Sequence, residues 1–107
     1  MDQKIYGVNS DQSLTPLIVR DAIIECFIEA HCLDTGILPS DKDINKQYCR
    51  EIVQKAFADS GGSFDNPNKE DIIGAMKSLA NFSKNFRDSS VVEKHYQEIM
   101  VLVDRLN

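Results

Sequence analysis

The run RDAIIECFIEAHCLD brings together side chains capable of chemistry: Glu25, Cys26, Glu29, His31 and Cys32. Carboxylates, imidazoles and thiols are the usual ligands of transition metals, and a thiol beside an imidazole is the starting point of nucleophilic catalysis. Spacing decides whether either chemistry is supported. Asp21, Glu25 and Glu29 recur every four residues and so stack along one side of a helix. A carboxylate-bridged di-iron site in a helical bundle, however, needs Glu-x-x-His on two helices. The residue three before His31 is Ile28, and the residue three before His95 is Val92. The Cys-x-x-Cys spacing of zinc fingers is missing too, since Cys26 and Cys32 are six apart and point to different sides of a helix. Glu25, Glu29, His31 and Cys32, with His95, therefore make only an alternative expectation: a metal or small-ligand site beside the first helix, with or without catalysis. The leading expectation is that Cys26 and Cys49 are small buried apolar groups and that Cys32 sits near a boundary.

Other motifs resolve the same way. Asp41-Lys42-Asp43-Ile44-Asn45 resembles the start of a calcium-binding EF-hand loop, but position six is Lys46 where glycine is required and position twelve is Ile52 where glutamate is required. Helix capping accounts for these residues. There is no Gly-x-Ser-x-Gly elbow and no Gly-rich phosphate loop, and Gly61-Gly62 reads as a helix stop. An enzyme is not the expectation, and no cofactor is implied.

Two features suit binding better than catalysis. From Ile72 to Arg87 the chain holds Lys77, Lys84 and Arg87 and no acid, and Lys77, Asn81 and Lys84 share a helical face. Such a strip suits a phosphate or an acidic protein surface, including the acidic strip of another copy's first helix. The second feature is apolar surface beyond what a bundle needs: Val91, Val101 and Leu102 beside the seam of the last helix, with Phe64, Phe82 and Phe86 in or near loops.

These residues must be positioned by helices. Thr15 caps a first helix with Pro16 at its first position and Gly36 beyond its end, covering about 15–35. Its apolar residues, among them Leu17, Val19, Ile23, Phe27 and Leu33, leave only a polar strip of Asp21, Glu25, Glu29 and Cys32, so it reads as the central helix. A second helix, about 40–60, opens at Ser40-Asp41-Lys42-Asp43 and turns Ile44, Tyr48, Ile52, Val53, Ala56 and Phe57 inward. A third, about 67–86, starts at Asn66-Pro67 or at Asn68 with Asp71, and packs through Ile72, Ile73, Met76, Leu79, Ala80 and Phe86. Ser90-Val91-Val92-Glu93 opens a fourth, about 90–106, whose seam is Val92, Tyr96, Ile99, Val103 and Leu106. Residues 1–14, with Ile5, Tyr6 and Val8 as the only anchors, read as an irregular arm.

The chain of 107 residues is thus an all-α, single-domain four-helix bundle with an irregular N-terminal arm, residues 15–107 forming the bundle. A net charge of -5 and a pI near 4.9 weigh against nucleic acid and anionic membrane surfaces. No apolar run approaches the ~18 residues of a membrane span, and no basic segment followed by an apolar run opens the chain. Three cysteines placed in helices suit a reducing compartment, so the expected location is the cytoplasm. The expected role is protein association, with itself as a homodimer or with another protein. Phe82, Phe86, Val101, Leu102, Lys77, Lys84 and Arg87 form the expected contact face.

Overall fold

A computed structural model describes residues 4–6, 8–9, 13–36, 42–82, 84 and 89–106. Four helices account for most of them: α1 (Pro16–Thr35), α2 (Lys42–Asp59), α3 (Lys69–Phe82) and α4 (Ser89–Asp104). They form the expected all-α bundle. The expectations for Phe86, Arg87, the Ser40 start of α2, the inward side chains of Ile44 and Val92, and the outward side chain of Val91 fall outside the described residues.

Helix ends form as their residues dictate. The Thr15 hydroxyl accepts from the Ile18 N–H at 3.3 Å, Pro16 opens α1, and Gly36 closes it at φ 75° with its N–H bonded to the Cys32 carbonyl. At the end of α2 the Gly61 N–H meets the Ala58 carbonyl and the Gly62 N–H meets the Phe57 carbonyl, with Gly61 at φ 80°. This pair of bonds is the Schellman arrangement, which requires a left-handed residue at that point. Of the two starts open for α3, the Asn68 one is realised: Asn68 Oδ1 accepts from the Asp71 N–H at 2.8 Å, and Asp71 Oδ2 accepts from the Asn68 N–H at 3.2 Å.

The helix α1 is central and packs against all three others. Val19, Ile23 and Ile28 from α1, Val53 and Phe57 from α2, Ile72 and Ala75 from α3, and Ile99, Leu102 and Val103 from α4 are 0–2% exposed. Burying a side chain of this size contributes roughly 1.5–3 kcal/mol, which is why the bundle needs no covalent staple.

Several positions depart from the sequence reading. Leu102 was expected on the outer face and is instead fully buried, because the inner stripe of α4 runs through Ile99, Leu102 and Leu106 as well as Val103. Tyr48 and Leu33 were expected inside and are 49% and 64% exposed. Cys49 takes the place beside Val53 that Tyr48 was to fill. Cys32, expected on the polar strip, is buried. The arm is not wholly irregular either: Lys4–Ile5 (β1) and Val8–Asn9 (β2) pair antiparallel, Ile5 opposite Val8. Tyr6, at the turn, takes φ 51°, the left-handed conformation that a tight hairpin demands at this point and that costs a non-glycine residue about 1–2 kcal/mol. Val8 is buried and Arg105 donates to the Asn9 carbonyl at 3.4 Å, so the hairpin is fastened to the bundle.

Candidate functional site

Rings connect three helices along one side of the bundle. Phe82, at the end of α3, lies 5.8 Å from Phe27 of α1; Phe27 is 6.3 Å from His31, stacked; and His31 is 5.3 Å from Tyr48 of α2. Phe27 is buried, whereas Phe82 is 39% and Tyr48 49% exposed, so the run begins and ends in solvent. Between α2 and α3 the same side opens into a groove of about 220 Å³. Ile52, Ala56, Leu79 and Phe82 supply its apolar lining, and Lys55 and Asp59 supply one charge of each sign. Ile52 follows Tyr48 by one helical turn, so ring run and groove form one surface.

The residues expected to make the contact face are scattered by comparison. Lys77 and Lys84 are exposed, and Val101 is 54% exposed on α4. Leu102, being buried, offers no contact area, so of the α4 pair only Val101 remains outward. Phe82 is the expected residue that joins the aromatic groove. Tyr48 and Ile52 were missed as surface residues because a tyrosine and an isoleucine in an apolar repeat read as core. The signal available was the small, apolar Cys49 beside Tyr48, which completes the inner stripe in its place.

The alternative metal site is not assembled. Among the described residues no three His, Cys, Asp or Glu side chains come together to hold a metal ion. Glu25, Glu29, His31 and Cys32 go separate ways. Glu25 lines a cleft toward α2, His31 lies among the aromatic rings, and Cys32 is buried in the core. Glu29 faces α4, its Oε2 3.9 Å from His95 Nε2.

A second cluster joins the hairpin to the bundle. The Cys26 thiol donates to the His95 carbonyl at 3.6 Å and shares a side-chain hydrogen bond with Tyr6, whose ring lies 6.0 Å from the His95 ring. Burial pushes the Cys26 thiol up to about 12, against a smaller lowering by the Tyr6 bond, and lifts Tyr6 above its ordinary value as well. Cys49 is pushed up to about 12 by burial and then by Cys32. Burial of this kind disfavours the thiolate, the form that acts as a nucleophile. The cavity next to Cys26, lined by Ile23, Phe27, Met76, Leu79 and Tyr96, holds about 40 Å³, room for a water or two and no substrate.

No helix of the described residues is long and apolar enough to cross a membrane. Compared with known proteins, the chain matches no protein-family model, no curated protein and no solved structure.

Proposed function

We propose that this chain is a helical association module that pairs with a second copy of itself through the groove between α2 and α3. The observation that carries the reading is the single surface on which the exposed rings of Tyr48 and Phe82 flank apolar Ile52, Ala56 and Leu79. Aromatic anchors beside an apolar groove are the usual energetic centre of a protein contact. A rim of one charge of each sign is compatible with self-pairing, because a twofold axis that sets Lys55 of one copy against Asp59 of the other repeats the ion pair. Cytoplasmic residence belongs to the same reading, supported by three cysteines buried as thiols.

Light scattering across a concentration series tests this. The wild-type chain is expected to move from monomer to dimer mass with rising concentration. Tyr48→Glu should hold it at monomer mass with an unchanged circular dichroism spectrum, because Tyr48 is half exposed and not part of the core. A wild-type chain that stays monomeric at all concentrations, or a Tyr48→Glu variant that dimerises as before, overturns the proposal.

A further inference from the structure

A further cleft lies on another side of α2. It holds about 430 Å³ between α1 and α2, with Tyr6 and Val8 of the hairpin along its edge. Its apolar wall is Ile18, Ala22 and Ile24. Three cations converge on it, Arg20 from α1 and Lys46 and Arg50 from α2, against two acids, Asp21 and Glu25. In a chain of net charge -5 an excess of cations in a concave site is not what overall composition would place there. A concave, low-dielectric wall also focuses the field of such charges.

Arg20 is preorganised. Its side chain is 14% exposed, Nε and Nη2 donate to Asp21 Oδ1 at 3.2 and 2.9 Å, and Nη1 donates to the Phe64 carbonyl at 2.8 Å. Among the described residues these three bonds leave two of the guanidinium's five N–H groups for another acceptor. The Phe64 ring fixes the plane of the fork, with the Arg20 guanidinium carbon 4.5 Å and that of Arg50 5.4 Å from its centroid. Asp21 is committed to Arg20, which leaves Glu25 as the other acid among the cleft-lining residues, beside Lys46 and Arg50, one turn apart on α2.

We propose that this cleft binds a small organic anion: a carboxylate or phosphoryl group on an apolar body, the head held by Arg20, Lys46 and Arg50 and the body against Ile18, Ala22 and Ile24. Guanidinium forks suit both heads, because each presents paired oxygens to parallel N–H groups. The site is independent of the proposed self-pairing, since Lys46 and Arg50 lie across α2 from Tyr48 and Ile52.

The test is an amide chemical-shift titration of the full chain with phenyl phosphate, benzoate and inorganic phosphate. Saturable shifts are expected at Ala22, Ile24, Lys46 and Arg50 with phenyl phosphate or benzoate, and the tighter of the two identifies the head group. Inorganic phosphate, lacking the apolar body, should bind at least about tenfold more weakly. Arg50→Gln and Lys46→Gln, both at exposed positions that leave the fold intact, should each weaken the organic anion several-fold, with Lys77→Gln as the unchanged control. The proposal is overturned by absence of saturation at about 10 mM, by shifts centred on Lys77 and Lys84, by inorganic phosphate binding equally well, or by Arg50→Gln binding like wild type.

Discussion

Leu102 and Val101 are neighbours in sequence and opposites in environment, and replacing each in turn with alanine tests the register of α4. Leu102 has no exposed surface, whereas Val101 is 54% exposed. Truncating a buried leucine removes the transfer energy of the lost atoms and leaves a cavity, together about 2–5 kcal/mol. Truncating an exposed valine costs no more than about 0.5 kcal/mol. A domain of this size has roughly 5–15 kcal/mol of stability in all, so Leu102→Ala should remove a large part of it and Val101→Ala almost none. Urea unfolding followed by circular dichroism would measure both, with the denaturant slope unchanged. Thermal melting should show a drop of at least about 10 °C for Leu102→Ala alone. Equal losses, or the larger loss at Val101, would refute the structure of this helix, because one residue corresponds to a rotation of about 100°.

Other perturbations test the site clusters. Cys26 and Cys49 have folded pKa values pushed from 9.0 to about 12, so above pH 9 the unfolded chain sheds protons that the folded one keeps. Stability should be constant with respect to these groups below pH 9 and fall from there toward pH 12; a melting temperature flat across that window would contradict their burial. Tyr6→Phe removes the bond to the Cys26 thiol, and should cost about 0.5–1.5 kcal/mol and speed alkylation of Cys26 but not of Cys49, read by mass spectrometry. At Gly62 an added Cβ would meet the Cβ and Cγ of Asp71 at 2.9 Å. Asp71 also accepts from the Ser63 and Asn68 N–H groups, so Gly62→Ala should disturb the start of α3 and cost about 1–3 kcal/mol in the same urea assay.

Much of the scaffold was legible because it depends on local chemistry. Thr15, Pro16 and Gly36 bound α1 through bonds to residues within four positions, and Asn68 with Asp71 does the same for α3. What lay beyond reach depends on partners distant in the chain. In α4 the Val92-Tyr96-Ile99-Val103 repeat and the His95-Ile99-Leu102-Leu106 repeat are equally regular. The first, continued to Leu106, was read as the seam and left Leu102 outside, yet Leu102 is fully buried and His95 faces the hairpin through Tyr6 and Cys26. The hairpin itself was hidden because a tyrosine at a left-handed position is a poor turn signal and is held there by those tertiary contacts. The aromatic groove joins α1, α2 and α3, and the cationic cleft needs Phe64 to gather Arg20 and Arg50 from different helices. No spacing along one helix announces either.

The fastening of the hairpin also sets an order of events. Arg105 and Asn9 are joined across 96 positions, and Tyr6 rests on residues of α1 and α4 together. Its seat does not exist until the first and last helices have met, so in folding it closes the largest loop last. Stopped-flow measurements should then find that destabilising Tyr6 accelerates unfolding while leaving the folding rate nearly unchanged; a slowed folding rate would place the hairpin in the nucleus instead. The same order makes the hairpin the first part to let go, so the buried Cys26 becomes reachable through a local opening of one edge, well short of global unfolding.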